Sequence, residues 1–412
     1  MGRLTDLLGI EHPVVQGPFG GGLSSVALAA AVSGAGGLGS YGGHILTPAA
    51  LGALVAELKA ATARPFAVNL WVPQPGEAEA RAVPEDVERL RPYYTELGVT
   101  PPNLPAPPDS AIAPPGAASG LGSGALPSGA AEPGVDSAGT APGPGALSGP
   151  GSGPGSRGAA VRPGFPGGVL PGLDPQPDFA EQAEALLAAA PPVISFVMGV
   201  PPAWVLEGAR RAGVITIGTA TTVEEALALQ EAGLDAIAAS GSDAGGHRGA
   251  FLRPVRESLV GTFSLVPQVA DAVKVPVIAA GGIADRRGVR AALALGADGV
   301  QVGTAFLAAA ESGASAVHKA ALLGPEARVT VLTRLFSGRT ARAIPNRFLR
   351  EMEAHEDRVP PYPVQNALML PIRRAAGAGG QPGLVNLWSG QAAPLARAAK
   401  AADILAALAG ER

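Results

Sequence analysis

The chain has 412 residues, 47% of them hydrophobic and 16% charged, which is enough apolar material for one large core or two ordinary ones. Its formal charge of −4 comes from 30 basic and 34 acidic residues with no basic block, which argues against a nucleic-acid partner. With no cysteine, disulfides, thiolate nucleophiles and iron–sulfur ligation are excluded, and a reducing compartment is compatible.

The N-terminal residues MGRLTDLLGIEHP lack an apolar run ending in a small-residue cleavage site, so no export signal is read and a cytoplasmic location is expected. Strands are predicted over Pro13–Pro18, Leu38–Gly42 and Phe66–Val72, with helices over Ser24–Ser33 and Pro48–Ala61 between them. His12–Ala56 contains no Asp, Glu, Lys or Arg, but its eleven glycines and Pro13, Pro18 and Pro48 break it into strand–turn–helix units rather than a membrane span. Glu85–Gly98 reads as a further helix. Residues 101–177 then contain 18 prolines, 18 glycines and six charged residues, too little apolar surface to offset the entropy of ordering, so a disordered insertion in one connection is expected.

The alternation resumes with helices over Asp178–Ala189, Pro202–Ala212, Thr222–Ala232, Leu259–Val273 and Arg286–Leu295. Strands are predicted over Val193–Gly199, Val214–Ala220, Ala236–Gly241, Val275–Gly281 and Gly299–Ala305. Runs such as VISFVMG and VIAAGG are apolar on both faces, as parallel strands covered by helices require. Eight such units predict a (β/α)8 TIM barrel. A doubly wound sheet is the alternative, but GGGLSS is a poor match to the dinucleotide-binding turn it usually carries. The barrel is thus expected in two parts, 1–100 and 178–310. Residues 311–412 are read as a helical extension over the barrel mouth or sides.

In such a barrel the active site gathers at the C-terminal strand ends. Gln16 and Gly17 end the first predicted strand, and Asn69 lies in the third. Ser240 to His247 follow the sixth, Gly281 and Gly282 the seventh, and Gly303 and Thr304 the eighth. Glycines there let backbone N–H groups approach an anion, aided by a helix N-terminus, so Gly281, Gly282, Gly303 and Thr304 form a candidate phosphate cradle. His247 can carry a proton near neutrality; Gly245 and Gly246 bring the backbone close to a ligand, and Arg248 adds a cation. His12, His44, His318 and His355 are read as structural, and Trp71, Trp204 and Trp388 as packing residues. Asn69 is either a satisfied internal amide or a partner for a heteroaromatic ring, and Gln16 and Gln301 are equally open. No second histidine or carboxylate stands at metal-ligand spacing, and no serine elbow occurs.

The segments HPVVQGPFGGGLSS, AVSGAGGLGSYG, FAVNLWVP, PPVISFVMGVP, GSDAGGHRG, VPVIAAGGIAD, GADGVQVGTAF and the later NLWSGQ resemble, in order, the nitronate monooxygenase family. The resemblance implies a TIM-type barrel with non-covalent FMN that oxidises alkyl nitronates, such as propionate 3-nitronate, with molecular oxygen to a carbonyl compound and nitrite. It implies that Asn69 and Gln16–Gly17 lie along the flavin ring, that Gly245, Gly282 and Gln301 to Thr304 hold the phosphate, and that His247 is the catalytic histidine. The chain departs from the family in having Phe19 where methionine is common, Ser240–Gly241 where Gln-Gly is common, and Asp243 where glutamate is common. FMN-dependent enoyl-acyl-carrier-protein reductases and NADH:quinone reductases share the AGGH element, so an NAD(P)H reductase is the alternative activity.

Overall fold

The computed structural model describes residues 2–104 and 177–410. The expectation for 101–177 therefore falls outside the described residues, apart from 101–104 and 177 at its edges. Eight parallel strands make one sheet. They are β1 (Val14–Gln16), β2 (Gly39–Gly42), β3 (Phe66–Trp71), β4 (Val193–Val197), β5 (Ile215–Ala220), β6 (Ala236–Ser240), β8 (Val277–Ala280) and β9 (Gly299–Val302); the two-residue β7 (Gly246–His247) belongs elsewhere. The order is β1-β9-β8-β6-β5-β4-β3-β2, and a parallel bridge from Val15 to Leu38 joins its two edges. Gln16 N donates to Leu38 O at 2.9 Å and Leu38 N to Val14 O at 3.0 Å, so the sheet closes into the (β/α)8 barrel.

Strand alternation divides the core in two. Val15, Ala67, Ala236, Ala238 and Ile278 pack inside the barrel, while Val14, Val68, Ile237, Ala239, Val300 and Val302 pack against the surrounding helices. The short helix Arg3–Leu8 plugs the lower end with Leu4 and Leu8, which are buried among the inward-facing residues. Each such leucine contributes about 1.5–3 kcal/mol by leaving water. The helices start where the sequence supplies caps: Thr47, Asp178, Thr222 and Asp285 each accept a backbone N–H of the first turn.

Residues beyond the barrel build a second apolar cluster. Tyr94 and Leu90 of the helix Pro84–Glu96 pack with Phe336, Phe348, Leu368 and Ile372. Here β10 (Val331–Thr333) and β11 (Ala341–Ala343) pair antiparallel, and β11 also pairs with β7, setting Ala341 opposite His247 and Arg342 opposite Gly246. This small sheet ties the loop after β6 to residues nearly a hundred positions later in the chain. Among the described residues, no helix is long and apolar enough to cross a membrane.

Candidate active site

The C-terminal strand ends open into a cavity of about 790 Å³. Register brings the rim residues level: Ser240 pairs with Ala280, and Ala280 with Gln301. Gly281 and Gly282 leave β8 with φ of 112° and 67°, the left-handed region that glycine tolerates. Gly303 is different. Its φ is −101°, and a Cβ there would meet only Phe19 Cε1, at 3.6 Å. Neither the fold nor the packing demands glycine at 303, whereas a ligand approaching the backbone would. The N–H groups of Gly282, Gly303 and Thr304 donate to no described residue, so three backbone donors at the rim are available to an anion. The helix dipole invoked from the sequence adds little: the helix after Gly303 is the single turn Thr304–Leu307, and the N-terminus of Arg286–Ala294 is already capped by Asp285. The cradle is a set of local donors.

His247, held on β7, lines the same cavity. Its Nε2 lies 2.9 Å from Ser337 Oγ. The Ser337 hydroxyl donates to Arg339 O at 3.1 Å and accepts from Arg339 N at 3.3 Å. With the one hydroxyl hydrogen on Arg339 O, His247 Nε2–H is the donor to Ser337, and in that tautomer the Nδ1 lone pair is left to accept a proton. The ring is clamped edge-on by Trp71 and Trp388, with centroids 4.8 and 5.1 Å away. Burial, then the positive field of Arg339 and Arg373, holds its pKa well below the ordinary histidine value, so the imidazole is neutral at working pH. His44 stacks on Trp71 at 3.8 Å and 4°; burial and Arg339 lower its pKa to about 3. Arg339 is fixed by Glu77 and lies 5.2 Å from the Trp71 centroid and 4.6 Å from that of Tyr362.

Of the residues singled out from sequence, Gly17, Asn69, Ser240, Gly245, Gly246, His247, Gly281, Gly282, Gln301, Gly303 and Thr304 all line this one cavity. Gln16 does not. It has the parity of outward-facing Val14, and its amide bonds Gly17 O and accepts from Ser40 N at 2.9 Å, so it joins β1 to β2. Asn69 and Gln301 have the opposite, inward parity. Asn69 Nδ2 donates to Ser195 O and Oγ at 3.1 and 3.0 Å, which leaves its carbonyl oxygen as the part that can meet a ligand.

Arg248 is likewise not a ligand cation. It is buried, and its guanidinium donates to Ser240 O and Gly241 O at 2.7 and 2.6 Å, bracing the tip of β6. His318, read from sequence as structural, has Nε2 2.9 Å from Trp388 O and also lines the cavity. His44, Trp71 and Trp388 correct the sequence reading, because all three line the cavity. The residues that sequence reasoning missed come from the C-terminal region: Ser337, Tyr362, Asn366 and Arg373. Of the sequence segments that carry the family resemblance, NLWSGQ alone reaches this region, and it contains none of the four. That segment does reach the rim, Gly390 N donating to Thr304 Oγ1 at 2.9 Å.

The sequence profile of the nitronate monooxygenase family matches residues 2–101 and 164–411. A probable nitronate monooxygenase of Staphylococcus aureus (strain Newman) is 35% identical over 395 residues, covering 96% of this chain and 92% of that protein. Among solved structures, a nitroalkane oxidase from Streptomyces ansochromogenes is 34% identical with a TM-score of 0.75, covering 99% of this chain and 97% of the other. FabK from Thermotoga maritima is 26% identical with a TM-score of 0.65, covering 99% and 94%.

Proposed function

The chain belongs to the nitronate monooxygenase family, a family of flavin-dependent oxidoreductases, and from that premise we propose that it holds FMN and oxidises alkyl nitronates with molecular oxygen to a carbonyl compound and nitrite. One observation carries the proposal. A neutral, oriented imidazole and a cluster of unpartnered backbone donors line the same cavity.

The residues fit the cofactor. Gly282, Gly303 and Thr304 would take the phosphate through their N–H groups, with Gly303 leaving the room a side chain would fill. Asn69 and Gln301, inward on β3 and β9, would meet the polar edge of the ring system. When bound, the flavin supplies the electron acceptor that this chain's own side chains lack and passes electrons on to oxygen. His247 would take the α-proton of a neutral nitroalkane on Nδ1, while Ser337 and the two tryptophans keep the ring in that tautomer and orientation. A substrate that arrives already as the nitronate needs no base, and for it the imidazole positions rather than deprotonates. Trp71, Trp388 and the C-terminal residues that line the cavity would shield the reacting carbon from water.

Anaerobic mixing tests the reading against the reductase alternative. Nitronate should bleach the flavin absorbance of the purified yellow protein within turnover time, and NADH should not. Bleaching by NADH alone would overturn the oxidation reading in favour of a reductase.

A further inference from the structure

Arg339 lies one ring away from the imidazole, and the mechanism gives its side chain no task. Next to it, Gly338 has a φ of 82°, and a Cβ there would collide with the backbone of Pro361 and Tyr362. The turn that carries Ser337 and Arg339 therefore lies hard against that segment. From this turn Arg339 reaches His247 by two routes. Its main chain holds the Ser337 hydroxyl, as donor and as acceptor, and that hydroxyl is the partner of His247 Nε2. Its guanidinium lies over Trp71 and Tyr362, and Trp71 is one of the two rings that clamp His247.

The guanidinium is anchored and largely dry. The Arg339 and Glu77 side chains are only 11% and 16% exposed, so this is not a surface pair that solvent screens away. Glu77 Oε1 accepts from both Nε and Nη2 of Arg339. Glu77 Oε2 accepts from Gln74 N at 3.0 Å, and the Gln74 amide donates to Met198 O and Ala250 O, which ties the anchor to the ends of two barrel loops. Nη1 of Arg339 is shut off from solvent and has no partner among the described residues. Of the charged groups whose field reaches His247, Arg339 acts most strongly and Arg373 acts in the same direction. The other ionisable neighbours carry no charge: burial lowers the pKa of His44 to about 3 and pushes that of Tyr362 up to about 12. Arg248, next to His247 in the chain, directs its guanidinium at Ser240 O and Gly241 O.

Taking His247 as the base for neutral nitroalkanes, on which this inference rests, we propose that Arg339, anchored by Glu77, is the positioning residue of that base. Its main chain fixes the Ser337 hydroxyl and with it the tautomer. Its guanidinium braces Trp71 and opposes a second proton on the imidazole, so Nδ1 stays free to take one from carbon. The base is weaker for it, but it keeps its working form as the pH falls.

The test follows kcat/KM against pH in the flavin-loaded full chain, with nitroethane and with its preformed nitronate. The wild-type nitroethane profile should stay flat into the acid range. In Arg339→Met an acid limb should emerge at higher pH, with the rate falling about tenfold per pH unit below it as one proton blocks Nδ1. The nitronate profile should move far less. Arg339→Lys, which keeps the charge without the fork, should return the limb toward the wild-type position. Should Glu77, left without its partner, unfold Arg339→Met, the double variant Glu77→Gln/Arg339→Met removes both charges and should show the same limb. A second readout needs no turnover. With the five histidines labelled with nitrogen-15, the His247 signals are identified by their loss in His247→Gln. They should report the Nε2–H tautomer alone in the wild type, and a second proton arriving at higher pH in Arg339→Met. If nitroethane is not oxidised at all but the imidazole responds in this way, the positioning role stands and the oxidation reading falls. Equal losses with both substrates, with the acid limb and the imidazole signals unmoved, would make the pair a tie between loops and overturn the proposal.

Discussion

Two sets of residues line the cavity, and they are built from different materials. The strand tips of β6, β8 and β9 offer backbone: glycines and N–H groups set by a closed barrel. The other set offers side chains: His247, Trp71, Tyr362, Arg373 and Trp388, most of them brought in by the region after residue 330. On the proposed function the first set would hold the cofactor and could not move a proton. The second would move the proton and meet the substrate, with a precision that depends on long-range contacts. Binding and chemistry should therefore come apart under mutation.

The largest separation is expected at His247. His247→Ala should lower kcat/KM for neutral nitroalkanes by roughly two to four orders of magnitude, the usual worth of a general base, with bound flavin unchanged. Preformed nitronates should lose much less. Loss of flavin together with activity would make the histidine a packing residue and erase the contrast. The converse experiment is Gly303→Ala, which the polypeptide can accommodate and the proposed phosphate cradle should not. The dissociation constant for FMN should rise by about ten- to a hundredfold, the cost of a lost charge-assisted bond, while the melting temperature of the flavin-free protein stays put.

A smaller effect should follow at Ser337. Removing its hydroxyl frees the imidazole to adopt either tautomer, so Ser337→Ala should slow neutral nitroalkanes by about tenfold, the worth of one such bond, and Ser337→Thr should restore the rate. An unchanged rate would show that the clamp of tryptophans alone fixes the ring. The smallest effect is on stability. Folded His44, His247 and His318 all have depressed pKa values, chiefly from burial. The unfolded chain takes up these protons below about pH 6.5 and the native state does not, so stability is full at neutral pH and declines as pH falls through that value. Thermal melts of the wild type from pH 7 to 5 should show the decline, and His44→Phe should flatten it.

The same contrast explains what the sequence revealed. Strands apolar on both faces announced the barrel, and glycines at successive strand ends announced the rim, because each is a local pattern with a local cause. The period of two also carried a distinction that a reading by position alone passes over: Asn69 and Gln301 share the inward parity, whereas Gln16 shares that of Val14 and serves β2. The side-chain set was much less legible. Strands of two and three residues such as β7 and β11 have no periodicity to detect, and the pairing of His247 with Ala341 depends on tertiary packing. Trp71 and Trp388 looked like core residues because an aromatic in a cavity wall has the same local sequence as one in a core. Arg373 sits in an ordinary amphipathic helix, with nothing in its local sequence to mark it as a cavity residue.

A crystal structure of the flavin-loaded protein tests the central division most directly. The phosphate should accept hydrogen bonds from the N–H groups of Gly282, Gly303 and Thr304, with the flavin ring extending toward Nδ1 of His247. A phosphate found against Arg373, with the ring over the glycines, would contradict it.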